Sequence, residues 1–347
     1  MADENRKTAA DLKLLEQIVE KPYRFEWFGT LRFLEARYSD RPRFGHAARP
    51  LEEPVRLGQE PSLNFAPSTL AKVIARENGA GWIVRGFHLG LFGPNGPLPL
   101  HLTEYASQRW RWHKDETFPR FVDMFQHRFL TFFYRAWASS NPAVQFDRPD
   151  EDRFSFYLGS LFGLGFESQK NRDALPDLTK LHFAGLMANQ TRHAEGLRSI
   201  IGAALLVPAK IVEFVGHWLD LPAADRLRIG ALGGCGRLGR DALVGARVWD
   251  RQQYFRVELG PMTLAQYQSL LPGGATLERL RAIVKNYAGF ALGWEARLVL
   301  KQSEVPATKL GQLGQLGWTT WLRSRPARRD ADDLVLRRGV ESSTERA

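Results

Sequence analysis

Three glycines of the segment "GGCGRLG", Gly234, Gly236 and Gly239, have the G-x-G-x-x-G spacing that can hold the pyrophosphate of a dinucleotide. That chemistry requires the glycines to open a helix whose N-terminus faces the phosphates. The residues that follow, "RDALVGARVWDRQQYFRVEL", alternate as a hairpin does. We therefore interpret the glycines as tight-turn residues and expect no cofactor.

The single cysteine, Cys235, lies inside the same segment, and no histidine stands near it in sequence to activate it as a nucleophile. One cysteine forms no intrachain disulfide and no cysteine-rich metal site, as expected of a protein from a reducing cytosol. Six histidines lack ligand-like spacing to cysteines or carboxylates: His101, His113, His127, His182, His193 and His217. The nucleophile elbow, the zinc-binding helix pair and the phosphate loop are also missing. We expect no catalytic residue, no metal and no enzyme.

The chain is basic, with 48 Lys and Arg against 38 Asp and Glu and a net charge of +10, which suits an acidic partner or solubility alone. "RGFHLGLF" begins like an RNA-binding sheet motif, but His88 and Leu89 replace its small residue and its stacking aromatic. "RWRWHK" interleaves Arg with Trp110 and Trp112, which lie about 200° apart on a helix, so one of them at a time faces a given surface. A single-stranded nucleic-acid-binding protein remains the alternative function.

The segment "LFGPNGPLPLHLTEYA", residues 91–106, is a stiff apolar loop that runs into a helix. Its prolines fix the backbone and remove donors, so little entropy is lost when a partner's groove holds the loop. Leu98, Leu100 and Leu102 would supply the contacts. A loop that folds back to cap the helix, with Pro99 in the first turn, explains the same residues. The residues alone leave both interpretations open.

The elements around this loop predict an α+β fold. A chain of 347 residues exceeds what one core serves, so two lobes are expected. Helical spacing predicts helices over 11–20 and 25–38 and two more after the loop, while "VRLGQEPSLNFAP" and "GWIVRGFHLGLFGP" read as strands. After Pro208 four segments rich in β-branched and aromatic residues predict further strands, and small antiparallel sheets are expected.

One unit, strand, Gly-Pro turn, helix, helix, occurs twice. Gly260-Pro261 corresponds to Gly93-Pro94, and Tyr267 to Tyr105. Sequence identity between the two copies is low, and turn chemistry alone would also explain them. We predict N-terminal helices and a linker over 1–50, a first mixed lobe over 51–190, a strand-richer second lobe over 191–322 and a disordered charged tail over 323–347.

The N-terminus "MADENRKTAADLKLLEQ" lacks the apolar core of a signal peptide, and no apolar run reaches the roughly 18–20 residues of a membrane span. These features predict a soluble cytoplasmic protein.

"LFGPNGPLPLHLTEYA" resembles the hallmark segment of the TssG family, also called ImpH or VasB, a baseplate component of the type VI secretion system, which is a bacterial contractile injection machine. Four other segments agree in family order: "PYRFEWFGTLRFLEAR", "EPSLNFAPS", "LGGCGRLG" and "VELGPMTLAQYQSLLPGG". The resemblance spans roughly residues 12–322 and excludes the charged tail.

The resemblance implies a non-catalytic scaffold of the baseplate wedge. One copy would join two copies of TssF, contact TssE and engage TssK trimers around the VgrG spike, and the wedge would prime assembly of the tail tube and contractile sheath. It would dock on a membrane complex at the inner face of the cytoplasmic membrane without crossing the bilayer. No small-molecule substrate and no nucleic acid are expected.

Two apolar feet for TssK follow as a hypothesis from the repeat together with the resemblance. The first foot comprises Pro97, Leu98, Pro99, Leu100 and Leu102. The second comprises Pro261, Met262, Leu264, Tyr267, Leu270 and Leu271. The aromatic segments Phe25–Tyr38 and Phe118–Trp137 are candidates for packing against TssF, with an internal core as the other interpretation.

Overall fold

The chain divides into two compact units, Met1–Ser155 and Phe156–Ala347. The computed structural model describes residues 2–76, 81–228, 237–240, 242–308, 314–321 and 328–337, with side chains from residue 11 onward. The sequence predicts a boundary near residue 190, and the structure places it at 155. The α+β class is confirmed, because helices and mixed sheets occur in both units.

Unit 1 combines a small sheet with long helices. Its elements are α1 Ala2–Glu20, α2 Trp27–Arg37, β1 Val55–Gln59, β2 Leu70–Ala75, β3 Trp82–Gly86, α3 Leu100–His113, α4 Thr117–Ser140, α5 Pro142–Phe146 and the start of α6 Arg153–Ser160. The strand order is β1-β3-β2, with β1 parallel and β2 antiparallel to β3. The sequence did not predict β2, whose alternation is interrupted by a register shift between Leu70 and Lys72.

The N-terminal helices belong to the core of unit 1. Trp27, Leu31 and Leu34 of α2 are fully buried and pack with Val84 of β3 and Tyr134 of α4. The helices predicted over 11–20 and 25–38 are confirmed, but the first 50 residues do not form a separate region. A short amphipathic helix gains most of its stability from such tertiary packing.

Unit 2 is built on a four-stranded sheet of order β4-β7-β8-β9. Its elements are α7 Asp177–His182, α8 Ala184–Ala188, α9 Ala194–Leu205, β4 Ala209–Val212, β5 His217–Asp220, β6 Arg247–Asp250, β7 Tyr254–Met262, α10 Leu264–Ser269, α11 Ala275–Ala288, β8 Gly293–Leu300 and β9 Ala331–Leu336. Strands β7 and β8 are parallel and are joined through α10 and α11. Helices α9 and α11 contribute Ile200, Ile201 and Ile283 to a core shared with Val257 and Leu298.

Strand β9 corrects the prediction of a disordered tail. Residues 331–336 pair antiparallel with β8, where Ala331 and Leu336 are buried and Arg297 of β8 forms an ion pair with Asp332. The tail has few bulky residues, but the free edge of β8 supplies backbone partners that composition does not reveal. Residues 323–327 and 338–347 of the predicted tail lie outside the described residues, as do Gly234, Cys235 and Gly236.

Candidate partner-binding surfaces

The Gly-Pro loop is held on unit 1 by the side chain of Gln59 at the end of β1. The Gln59 amide, which is buried, donates from Nε2 to the Phe92 carbonyl and accepts at Oε1 from the Phe92 backbone N–H, both at 2.8 Å. A Cβ at Gly90 would collide with this amide, so the glycine permits the close approach. Two hydrogen bonds to one residue fix where the loop leaves the sheet.

Beyond Phe92 the loop folds back on itself. The Leu98 N–H donates to the Leu91 carbonyl at 3.3 Å, and both side chains pack on a small cluster formed by Phe92, Ala106 and Val122. This agrees with the folded-back interpretation, and Pro99 is the N-cap residue of α3. The two interpretations are compatible, because part of the loop packs inward while another part faces solvent.

The five residues of the first foot therefore divide into two groups. Leu100 is exposed, as are Pro97 and Pro99, so the surface they form is apolar and poor in donors. Leu98 and Leu102 are half-buried, and Leu98 packs inward.

The second foot does not exist as predicted. Met262, Tyr267, Leu270 and Leu271 belong to the core of unit 2, and Tyr267 is 1% exposed. Helix α10 is short, and its apolar stripe is buried in the core of unit 2. The repeat is thus similar in order but not in exposure, because the matching Tyr105 is exposed.

A different apolar patch lies beside Pro261. Leu206, directly after α9, is 80% exposed and holds a left-handed backbone with φ of 55°. Its carbonyl accepts from Gln266 of α10, and the Pro208 carbonyl accepts from the Gly260 N–H at 2.8 Å. Leu206, Pro208, Pro261 and the half-buried Leu264 form what we call the Leu206 patch. Sequence reasoning missed Leu206, although Pro208 marked the end of the helix.

Helix α4 turns five phenylalanines and one methionine toward solvent. Phe129 is 68% exposed, and the exposed residues repeat at helical spacing. We call this surface the α4 face; it comprises Phe121, Met124, Phe125, Phe129, Phe132 and Phe133. The guanidinium of Arg128 lies 4.7 Å from the centre of the Phe132 ring. Isolated exposed phenylalanines are common, but a continuous stripe of this kind is typical of an interaction site.

The opposite side of α4 carries polar groups that bind the backbone of β1. Nδ1 of His127 accepts from the Leu57 N–H at 3.1 Å, so its Nε2–H donates to Glu53 at 2.7 Å. Oδ1 of Asp123 accepts from the Gln59 N–H at 3.0 Å. Burial lowers the pKa of His127 and raises the pKa of Asp123 to about 6. These bonds orient the helix so that its phenylalanines face solvent.

A cavity of about 690 Å³ opens beside Phe132 in unit 1. Its wall includes Tyr134, which donates to the buried Glu35 carboxylate, and Arg43, which is ion-paired with Glu151. Burial raises the pKa of Tyr134. Each of these two side chains is paired with a carboxylate, and the cavity adjoins the α4 face at Phe132.

The basic and aromatic segment around Trp110 is occupied by internal contacts. The Arg85 guanidinium lies 4.2 Å from the centre of the Trp110 ring and donates to Glu116 at 3.1 Å. Trp112 is 81% exposed on its own. The two indoles therefore do not form a common stacking platform. Within the described residues no group of three or more His, Cys, Asp and Glu side chains could hold a metal ion.

Among the helices in the described part of the chain, none has the length and apolarity to cross a membrane.

Solved structures give the class of protein. A chain of the baseplate complex from the type VI secretion system matches with a TM-score of 0.62 and 25% sequence identity, over 98% of this chain and 97% of that chain. A chain in a cryo-electron microscopy structure of the type VI secretion system TssK-TssF-TssG baseplate subcomplex matches with a TM-score of 0.51 and 25% identity, over 62% and 90%. A comparison with curated protein sequences finds no match. The fold is that of a type VI secretion baseplate subunit.

The family follows from the sequence over most of its length. The family model described as type VI secretion, TssG, matches residues 21–323. The chain belongs to the TssG family, and the resemblance drawn from the Gly-Pro segment is confirmed.

Proposed function

We propose that this chain is a non-catalytic scaffold of the baseplate wedge that joins TssF and TssK. The observation that carries the proposal is the orientation of α4, which binds β1 through Asp123 and His127 while its phenylalanines face solvent. A chain that functions alone gains nothing from this orientation, whereas a subunit buries the same side chains when it assembles. The similar chain in the TssK-TssF-TssG subcomplex supports these two partners.

The α4 face is the proposed contact for TssF. It is long, apolar and continuous, as the core of a stable interface is. Arg128 beside Phe132 adds a residue type that is enriched in such cores. The segment Phe25–Tyr38, the other aromatic candidate, is mostly internal, since Trp27 and Leu31 are fully buried.

The exposed part of the Gly-Pro loop is the proposed contact for TssK. Gln59 and the Leu91–Leu98 hydrogen bond hold the loop in one shape, so a partner does not have to order it. The Leu206 patch, which is likewise rich in leucine and proline, replaces the second foot in this proposal. Contacts with TssE and the VgrG spike, two copies of TssF, TssK trimers and docking at the inner face of the cytoplasmic membrane are proposed from family membership alone.

Co-purification tests the scaffold role. The tagged chain is expressed with its neighbouring genes, and the complex is weighed by native mass spectrometry at moderate salt. We expect a complex that contains TssF and TssK, with two TssF chains per tagged chain. Recovery of a lone monomer would refute the proposal and would make oligonucleotide binding across a salt series the next measurement.

The loop assignment is tested with Leu100→Ser, because Leu100 is exposed and its loss leaves the Leu98 packing intact. TssK capture should weaken while TssF capture is unchanged. The matched control is Trp112→Gln, which removes an exposed apolar side chain further along the same helix. Equal TssK capture by wild type and the Leu100 variant would show that the loop is not the contact.

A further inference from the structure

A two-stranded ribbon in unit 2 carries an exposed pair of tryptophans. Strand β5 pairs antiparallel with β6 so that Trp218 lies directly opposite Trp249. The indole centres are 5.2 Å apart with their planes at 68°, and the two side chains are 60% and 50% exposed. Trp is the residue type most enriched among the energetically dominant positions of protein interfaces, so an exposed pair on one surface needs an explanation.

The alternation of the strands places four side chains on one face of the ribbon. Asp220 and Arg247 lie opposite each other beside the two indoles and form an exposed ion pair at 2.6 Å. A Cβ at Gly216 would collide with the Trp249 ring, so the glycine allows that indole to lie against the strand. The indoles therefore have a fixed arrangement although they are exposed.

The ribbon is fixed to the rest of unit 2 through its first residues. The His217 ring stacks on Tyr254 with centres 4.5 Å apart, and the Val215 N–H donates to the Tyr254 carbonyl at 2.9 Å. The Leu221 N–H donates to the Ala246 carbonyl, which extends the pairing beyond β5. An isolated two-stranded ribbon is marginally stable in water, and this anchoring gives it a constant position.

The charge around the indoles indicates what covers them. Over residues 217–252 the sequence has six arginines against four aspartates, and all six arginines are exposed. The arginines are Arg226, Arg228, Arg237, Arg240, Arg247 and Arg251. An apolar pair carried by a segment rich in exposed arginine fits an apolar recess rimmed by carboxylates.

We infer that the Trp218–Trp249 ribbon docks into an acidic, apolar-centred recess on another protein subunit of the baseplate. Nucleic acid is the other anionic partner, and the geometry of the indoles disfavours it. The edge-to-face arrangement covers part of one indole with the other, which leaves no open pair of faces for stacked bases. The inference rests on the proposed scaffold function.

The test compares three variants in the co-expressed complex. The tryptophan variant, Trp218→Thr with Trp249→Thr, removes both indoles and keeps the β-propensity of the strands. The charge variant, Arg228→Glu with Arg251→Glu, reverses two exposed charges. Trp112→Gln is the control. We expect the tryptophan variant to weaken association with one subunit on the order of 30-fold. The charge variant should weaken association with the same subunit, and the control should not. A photo-crosslinker at Asp220, which lies on the same face as the indoles, should link to an acidic segment of that subunit.

Three outcomes would overturn the inference. The first is unchanged association in both ribbon variants. The second is weaker association of the tryptophan variant together with a lower thermal midpoint of the free chain, while the charge variant associates normally. The third is oligonucleotide binding that depends on the two tryptophans. The wild-type chain separates the two proposals. If it recovers no TssF and TssK, the scaffold function fails; if it recovers both and the ribbon variants do so equally well, the ribbon inference alone fails.

Discussion

Replacement of three phenylalanines of the α4 face should separate assembly from folding. Phe121, Phe125 and Phe129 each keep more than half of their side chain exposed. Because complete burial of a phenylalanine contributes about 1.5–3 kcal/mol, roughly 1–1.5 kcal/mol per residue remains to be gained on association. The triple change to Gln should therefore cost about 3–4.5 kcal/mol of binding, which corresponds to about 10²- to 2 × 10³-fold weaker affinity for TssF.

The same change should leave the free chain almost as stable as the wild type. Phe121 and Phe125 pack edge to face with ring centres 5.5 Å apart, and such a pair on a helix surface contributes only about 0.2–0.5 kcal/mol. Titration calorimetry with purified TssF gives the affinity, and urea unfolding of the free chain gives the stability. Trp112→Gln, which removes an exposed aromatic outside the α4 face, is the control.

Two results would refute this reasoning. Wild-type affinity for TssF in the triple variant would show that the α4 face is not the contact. A loss of more than about 2 kcal/mol in the free energy of unfolding would show that the rings are part of the core of unit 1, since exposed substitutions usually change stability by no more than about 0.5 kcal/mol.

Three further predictions concern single residues. Gln59→Leu leaves the buried N–H and carbonyl of Phe92 without partners, so the free energy of unfolding in urea should fall by about 2–4 kcal/mol. Hydrogen exchange at Phe92 should also accelerate. Unchanged stability and exchange would show that the two Gln59 hydrogen bonds do not hold the loop. Leu206→Gly removes an exposed side chain from a left-handed backbone position. The free energy of unfolding should rise by about 0.5–1 kcal/mol, seen as a higher thermal midpoint, while TssK capture weakens. Burial raises the pKa of Asp123 to about 6, so the native state binds more protons than the unfolded state and stability falls as pH rises from about 4 to 6. In urea unfolding, Asp123→Asn should be about 1–3 kcal/mol more stable than wild type at pH 7.5 and equal to it near pH 4. Parallel pH profiles of stability for the two proteins would contradict this.

The sequence alone determined the family, the α+β class and most helices and strands. The Gly-Pro segment is specific enough to identify the family, and helical periodicity located α2, α3, α4 and α11 because side chains three and four residues apart share a face. The sequence did not predict strands β2 and β9, because a register shift interrupts β2 and because β9 depends on the free edge of β8.

Only the tertiary structure decided which apolar faces are surfaces. The stripe of α4 and the stripe of α10 are both apolar at helical spacing, yet Phe129 faces solvent and Tyr267 is buried. The difference comes from partners distant in sequence: Gln59 and Leu57 of β1 bind the polar side of α4, while the core of unit 2 covers α10. Periodicity shows that a helix has two unlike faces, but which face turns inward depends on the groups that other elements present to it.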